Sequence, residues 1–308
     1  MNLEIVFNEL SIEIPAKDIS TAQKWMSEFI NTILAIKPPP SSKRKLRTKN
    51  DFNYLLLAPQ YTVAQWRNDP NLDLEKRRFL RTLQDKNDPL LPDIADPGIE
   101  VIYQGKKTIG LYYAFVFNSL AISFQSSAQW DCSLIELEVT SINDDEELVP
   151  TIENVIHASC RNHIQKHEQW IRDRIKIQVY DGSDLWNRKE ELFPSLEFCA
   201  NVSKQLQNLG NGELILKQII KRLLELEDYC KNWQDGSFDL SKIPTKITPE
   251  SDNRKKELKE KLTFQCPDGS TQLFSYHARM TPGAWRLHFY PKEQSRKIII
   301  GYIGVKIQ

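Results

Sequence analysis

Apolar positions near the start of the chain follow two different periods. The stretch from Leu3 to Phe7 is apolar enough to predict an opening strand. After Ser20, which can cap a helix, apolar residues recur every three or four positions until the chain reaches Pro38. The pattern therefore predicts one amphipathic helix whose apolar positions are Ala22, Trp25, Met26, Phe29, Ile30, Ile33 and Leu34.

Further along, short apolar runs and helical stripes are separated by turn residues. The sequence predicts a short basic helix over residues 72–83 and strands at 99–103, 121–124, 134–140 and 152–157. Helical periodicity then predicts helices over 162–174, over 183–209 with an interruption at Pro194, and over 213–233. The last of these has a bundle-like apolar stripe from Leu214 to Leu226, which could dock a protein partner.

The C-terminal tail alternates apolar and polar residues with a period of two. Turn signals at Asp268-Gly269, at Pro282-Gly283 and over 291–296 predict a meander of four short strands. Alternation places Phe274, Tyr276, Ala278 and Met280 on one face, and His277 and Arg279 on the other. If the next strand pairs with this one, the polar face carries His277, Arg279, Arg286, His288 and Tyr290.

These elements predict an α+β protein. We expect an α+β region over residues 1–160, a helical region over 161–234, a polar linker over 235–261 and an antiparallel meander over 262–308 that packs on the rest. At 308 residues, the chain is long enough for one large or two smaller cores.

Composition narrows the class of protein. With 40% hydrophobic and 27% charged residues, the chain is typical of globular proteins, and its formal net charge of zero leaves only local patches to attract nucleic acid. Five scattered cysteines argue against a disulfide framework. No signal peptide or membrane span is evident, so we expect a cytoplasmic protein with no membrane partner.

Basic residues concentrate between positions 43 and 86, where they outnumber acidic residues by eleven to five. Such a patch predicts contacts with nucleic-acid phosphates, and Tyr61 and Trp66 could stack on bases. The alternative is an ordinary solvated surface. The candidate nucleic-acid-binding residues are Lys43, Arg44, Lys45, Arg47, Arg77, Arg78 and Arg81.

The polar face of the tail suggests chemistry. Histidine or tyrosine could move a proton from or to a ribose oxygen while arginine stabilises the phosphorane, so the face could cleave RNA without a metal. It could equally hold phosphates without reaction, or be an ordinary polar face. The candidate catalytic residues are His277, Arg279, Arg286, His288 and Tyr290.

A metal site is the weaker alternative. His157, Cys160, His163 and His167 have spacings that could bind zinc, but the stretch His163-Ile-Gln-Lys-His167 lacks the glutamate of zinc proteases, and a helix face explains these residues more simply. No phosphate-binding glycine motif is present. The sequence therefore predicts no metal and no cofactor.

The tail segments YHAR, WRLHF and IIIGYIG faintly resemble the closing strands of RelE/ParE-like toxins, over about the last forty residues. Together with NDFNYLLLAPQYTVAQWRND, EKRRFL and LFPSLEFC, they resemble an uncharacterised family of conserved bacterial proteins. That resemblance implies a toxin-like or antiviral defence protein. Together with the two basic patches and the His/Arg/Tyr face of the tail, it leads us to expect a nucleic-acid-interacting cytoplasmic protein, namely an effector that acts on RNA without a metal. The alternative is a non-enzymatic adaptor subunit of a bacterial defence or regulatory complex.

Overall fold

The computed structural model describes residues 3–37, 44–83, 98–142, 147–177, 179–211, 213–243, 247–280 and 284–308. The chain divides into two compact units, residues 1–178 and 179–308. Each unit contains helices and sheets, so the predicted α+β class is confirmed. The division falls at residue 178 because the helix over 161–166 packs against the helix over 19–35 and the strand over 148–158, and the helix over 168–176 contacts it in turn.

The first unit contains nine strands and six helices within the part of the chain described. They are β1 (Leu3–Phe7), α1 (Ile19–Ala35), β2 (Arg44–Arg47), β3 (Leu56–Ala58), β4 (Tyr61–Thr62), α2 (Val63–Asn68), α3 (Leu74–Leu83), β5 (Ile99–Tyr103), β6 (Lys106–Lys107), α4 (Ile109–Phe117), β7 (Leu120–Ile122), β8 (Leu134–Ile142), β9 (Leu148–Ala158), α5 (Arg161–Lys166) and α6 (Glu168–Lys176).

A seven-stranded sheet in the order β2-β1-β7-β9-β8-β5-β6 organises this unit. Strands β2, β1, β7 and β9 run parallel, while β8, β5 and β6 are antiparallel to their neighbours. The core beside α1 contains four phenylalanines whose ring centroids lie 4.8–6.5 Å apart, namely Phe7, Phe29, Phe52 and Phe124. Rings at such separations add to the free energy gained from their burial.

One helix cap differs from the sequence-based expectation, and one helix is absent from it. Asp18, rather than Ser20, caps α1, because its Oδ1 accepts a hydrogen bond from Thr21 N at 2.7 Å. The apolar stretch after Thr108 contains the helix α4, which ends where Asn118 adopts a left-handed backbone with φ of 48°. Because α4 is apolar on nearly all sides, its sequence shows no amphipathic period that would indicate a helix.

The second unit contains five helices and seven strands within its described residues. They are α7 (Gly182–Asn187), α8 (Lys189–Leu192), β10 (Leu196–Phe198), α9 (Ala200–Gln207), α10 (Leu214–Asn232), β11 (Ile247–Pro249), α11 (Asp252–Glu257), β12 (Thr263–Gln265), β13 (Thr271–Leu273), β14 (Tyr276–Met280), β15 (Trp285–Lys292) and β16 (Lys297–Val305).

A five-stranded sheet in the order β10-β16-β15-β14-β11 forms the centre of this unit. The meander β14-β15-β16 is antiparallel as predicted, whereas β12 and β13 form a separate hairpin. Both edge strands come from segments for which the sequence indicated no strand. β10 follows the interruption at Pro194, and β11 lies in the stretch 235–261, which we expected to be a linker.

The apolar stripe of α10 is part of the core. The helix contacts β10, β14 and β16, and the stripe residues Leu216, Ile219, Ile220, Leu223 and Leu226 are all buried. The predicted use of helix 213–233 to dock a protein partner is therefore corrected, because its own sheet already covers the stripe.

Candidate functional site

Two histidines and two arginines pair across adjacent strands of the second sheet. In the register of β14 and β15, His277 lies opposite His288, and Arg279 lies opposite Arg286. Side chains at directly opposed positions project from the same face of a sheet. The register therefore places these four side chains on one face of the sheet, as predicted. The two imidazole centroids are 5.3 Å apart.

This histidine face is covered rather than open to solvent. His277 is 4% exposed, Arg286 3% and His288 1%. The cover comes from Glu250 and from the segment that precedes β14. Phe274, predicted on the opposite face, lies on this one, with its ring 6.0 Å from that of Tyr290 and its carbonyl 3.2 Å from His288 Nδ1. The face changes because β14 begins at Tyr276, after a break at residues 274–275.

Glu250 completes a buried cluster with the two histidines. It follows β11, which pairs with β14, and its Oε1 lies 3.2 Å from His277 Nδ1. Its Oε2 accepts a hydrogen bond from Arg254 Nε at 2.7 Å. Burial alone would raise the pKa of this carboxyl, but the contacts with His277 and Arg254 outweigh burial and lower the pKa to about 2. Glu250 is therefore ionised at neutral pH.

His288 has a different electrostatic state. Burial, reinforced by the neighbouring His277, lowers its pKa to about 4, so this imidazole is neutral at pH 7. Nδ1 faces the Phe274 carbonyl at 3.2 Å, which assigns the ring proton to Nδ1 and leaves the Nε2 lone pair unprotonated. A neutral histidine beside an ionised glutamate could exchange protons or hold a cation, but a substrate in solution cannot reach it in this conformation.

The remaining candidate catalytic residues differ in exposure. Tyr290 and Arg279 are half-buried, and the backbone carbonyl of Arg279 accepts a hydrogen bond from Arg222 Nε at 3.2 Å. Arg286 Nη1 donates to the carbonyl of Trp285 at 3.0 Å. The five predicted residues thus lie on two adjacent strands, and three of them, His277, Arg286 and His288, are at most 4% exposed.

The predicted nucleic-acid-binding residues separate into exposed and buried groups. Arg78 and Arg81 are exposed on α3, whereas the half-buried Arg77 donates from Nε to Leu72 O at 3.2 Å. On β2, Arg44 and Lys45 are half-buried. Arg47 is buried in an ion pair with Glu4, with 3.1 Å between Nη2 and Oε1, so it is poorly placed to meet phosphates. Lys43 lies outside the described residues.

Aromatic residues near the basic segment are arranged differently from our expectation. Tyr61 and Trp66 are buried in the core of the first unit and cannot stack on bases from its surface. Tyr54, which the sequence did not single out, is 80% exposed. It ends the 3₁₀ turn Phe52–Tyr54, in which Asp51 Oδ1 accepts from Asn53 N at 2.9 Å.

The four residues of the weaker zinc hypothesis do not converge. His157 is fully buried, with Nδ1 2.8 Å from Cys132 O and Nε2 2.7 Å from Ser123 Oγ. His167 Nε2 lies 2.7 Å from Ser133 O. Cys160 and His163 do come together, and the third potential ligand beside them is Asp131.

Sequence reasoning missed Glu250, Asp131 and Tyr54. None of them belongs to a motif with known chemistry; Glu250 and Asp131 lie in short polar segments between elements, and Tyr54 ends a 3₁₀ turn of three residues. Glu250 follows Pro249 in a stretch whose composition is typical of a linker. Only the pairing of β11 with β14 brings its carboxylate to His277.

Comparison with protein-family models, with curated proteins and with solved structures yields no match. The resemblance of the tail to RelE/ParE-like toxins therefore stays a prediction. Among the residues described, no helix has both the length and the apolar character needed to cross a membrane. The fold defines a two-unit α+β protein. It has two side-chain clusters, one of Glu250, His277 and His288 and one of Asp131, Cys160 and His163.

Proposed function

We propose that this chain binds single-stranded RNA through a basic surface on its first unit. We define the basic surface as Arg44, Lys49, Arg78 and Arg81 together with the exposed ring of Tyr54. The observation that carries the proposal is the exposure of Arg78 and Arg81 three positions apart on α3. Residues at that spacing lie on one side of a helix, so both guanidinium groups can contact one phosphate backbone.

Neighbouring elements extend this surface. β2 packs against α3, where the Arg44 guanidinium lies 5.5 Å from the centre of the Phe79 ring. α3 in turn contacts α2, and α2 contacts the turn that presents Tyr54. Over the described residues 44–83, nine basic side chains stand against four acidic ones. A positive surface with an exposed aromatic ring is the combination that single-stranded nucleic acids recognise, by phosphate contact and by base stacking.

The proposal concerns binding rather than cleavage. His277, Arg286 and His288 are at most 4% exposed, and general acid–base catalysis requires these groups to come within hydrogen-bonding distance of the substrate. Cleavage by this face, as a toxin-like or defence effector would perform it, therefore requires movement of the segment that covers it. The proposal is compatible with a role of this chain as an RNA-binding protein of a bacterial defence system.

Binding of a fluorescent single-stranded RNA at several salt concentrations tests the proposal. We expect affinity to fall with salt, and the Arg78→Ala/Arg81→Ala double variant to bind about tenfold more weakly. Its logarithmic salt slope should be smaller by about 1.4, since each contact with a single-stranded phosphate contributes about 0.7.

A matched control removes two equally exposed charges elsewhere. The Lys256→Ala/Lys259→Ala double variant loses the same net charge on the second unit, and it should bind like the unmodified chain. Equal loss in both double variants would show that net charge alone attracts RNA, which contradicts a defined surface. Absence of binding at low salt, or preference for double-stranded DNA, would also contradict the proposal.

A further inference from the structure

Three side chains with metal-binding atoms converge where β9 leads into α5. Asp131 follows the 3₁₀ turn Ala128–Trp130, Cys160 precedes α5, and His163 lies in its first turn. One potential ligand atom from each residue lies within 4.8 Å of the others, and His163 Nε2 is 3.4 Å from Asp131 Oδ1. We propose that Asp131, Cys160 and His163 bind one divalent cation of the zinc class.

The ligand types suit zinc. A thiolate, an imidazole and a carboxylate are the three side-chain donors found in zinc sites, with bonds of about 2.0–2.3 Å. Cys160 and His163 have the Cys-x-x-His spacing, which places both side chains on one side of the first helical turn. Bonds of that length put tetrahedral ligands about 3.3–3.8 Å apart. Small rotations of the exposed Asp131 and half-buried Cys160 side chains would therefore close the site.

The His163 ring is held in place through its other nitrogen, with Nε2 directed towards Asp131. It is 5% exposed, and its Nδ1 accepts a hydrogen bond from Ser159 N at 3.3 Å and lies 3.5 Å from Ser159 Oγ. When Nε2 binds the cation, the single proton of the neutral ring moves to Nδ1, which then has to exchange the Ser159 N–H for Ser159 Oγ as its partner, because the hydroxyl oxygen can accept that proton. A hydrogen bond from the second ring nitrogen is the usual way in which proteins orient a metal-binding histidine.

Access and charge also favour this cluster. Asp131 is exposed, so a cation can enter from solvent, and water can supply the fourth ligand that three protein ligands leave open. Binding releases the Cys160 thiol proton, and the resulting thiolate together with the Asp131 carboxylate balances two positive charges. The site therefore needs no further protein group to neutralise the cation.

The cluster of Glu250, His277 and His288 also meets the distance criterion but suits a cation less well. Its carboxylate already accepts a hydrogen bond from Arg254, and the positive charge of Arg286 acts on His288. All three potential ligands are buried, so a dication there would add positive charge beside two guanidinium groups without solvent to screen it. The cluster of Glu250, His277 and His288 therefore serves as a control for the cluster of Asp131, Cys160 and His163.

Cobalt titration of the metal-free chain tests the proposal directly. We expect one equivalent of Co²⁺ to produce a thiolate-to-cobalt charge-transfer band together with the visible bands of a tetrahedral site. One equivalent of Zn²⁺ should displace it. Cys160→Ser should abolish the charge-transfer band, and Asp131→Ala should weaken binding by about tenfold or more, because loss of even an outer partner of a metal ligand has about that effect.

Matched variants assign the site. Cys132→Ser, which removes the thiol next to Asp131, should leave the band unchanged, and so should His277→Gln in the other cluster. Asp131 is exposed, so Asp131→Ala should fold and report on the site even if Cys160→Ser does not. Absence of a thiolate band in the unmodified chain, its persistence in Cys160→Ser, or its loss in Cys132→Ser or His277→Gln would each overturn the proposal.

Discussion

His277 and His288 face each other across two strands, with ring centroids 5.3 Å apart, yet their surroundings differ. His277 Nδ1 lies 3.2 Å from the Glu250 carboxylate, whereas His288 Nδ1 faces the Phe274 carbonyl. One imidazole thus has an anionic partner and the other a neutral one. This asymmetry determines how the second unit should respond to acid.

Acid should destabilise the second unit through His288. Burial lowers its folded pKa to about 4 from an ordinary value of 6.5, and His277, Glu250 and Arg286 are the charged or titratable groups acting on it. Between these two values the unfolded chain binds more protons, so stability falls as pH falls. Each pH unit below 6.5 should cost about 1.4 kcal/mol, reaching about 3 kcal/mol near pH 4.

This loss of stability is measured by unfolding the chain in urea at pH 7, 6 and 5. Hydrogen exchange in peptides from β14 and β15 reports the unfolding of the second unit. A local probe is needed because burial also lowers the pKa of His157, in the first unit, to about 4. His288→Leu should remove most of the pH dependence over this range. A wild-type transition that does not move between pH 7 and 5 would show that His288 is not held neutral.

Glu250→Gln should destabilise the second unit by about 3 kcal/mol at pH 7, because removing one partner leaves the buried His277 and the Arg254 contact uncompensated. Burial raises the Glu250 pKa, but His277 and Arg254 lower it to about 2, so its contribution is complete above about pH 4.5 and disappears towards pH 2. Denaturant unfolding measures the loss. The exposed Glu257→Gln control should stay within about 0.5 kcal/mol of wild type, and equal effects of the two substitutions would contradict a buried network.

For the histidine face of β14 and β15, strand periodicity was the only informative signal in the sequence. Alternation predicted that His277, Arg279, Arg286 and His288 share a face, because a short connection between antiparallel strands leaves few registers that bury both apolar sides. It carried no information about what covers that face. The covering carboxylate of Glu250 comes directly after an edge strand of three residues in a polar segment, where no period can be recognised.

Near the basic segment, residue type alone did not predict which side chains are buried. Tyr61 and Trp66 lie between Lys49 and Arg67 in the sequence, but both are buried in the core of the first unit. Tyr54 lies on a 3₁₀ turn, whose three residues show no amphipathic pattern. Which aromatic ring faces solvent therefore depended on tertiary packing that local patterns do not encode.

Gly182→Ala should destabilise the contact between α7 and α9. A Cβ atom at Gly182 would lie 1.7 Å from the carbonyl oxygen of Leu206, and Gly182 N donates to Leu209 O at 3.0 Å. The two backbones must move apart to admit a methyl group, at a cost of about 2 kcal/mol or more in the free energy of unfolding. Thermal unfolding measures this cost. The neighbouring Ser183→Ala serves as control, and an unchanged Gly182→Ala variant would contradict the close backbone approach.

Tyr54→Ala should weaken binding of single-stranded RNA by about 1–3 kcal/mol, the usual contribution of one stacked base. The ring is 80% exposed and makes no contribution to the core, so the stability of the chain should not change. The salt slope should also stay the same, because stacking releases no counterions, in contrast to the arginine variants on α3. Fluorescence binding at two salt concentrations measures both quantities.

Two further substitutions separate stacking from other contributions of Tyr54. Tyr54→Phe keeps the aromatic face and should bind RNA like wild type, whereas a loss as large as that of Tyr54→Ala would indicate a hydrogen bond from the hydroxyl instead. Tyr180→Ala removes another exposed tyrosine, 61% accessible on the second unit, and should have no effect. If Tyr54→Ala binds RNA as well as the wild type does, the turn at residues 52–54 lies outside the binding surface, and the arginines of α3 alone would have to account for any RNA affinity.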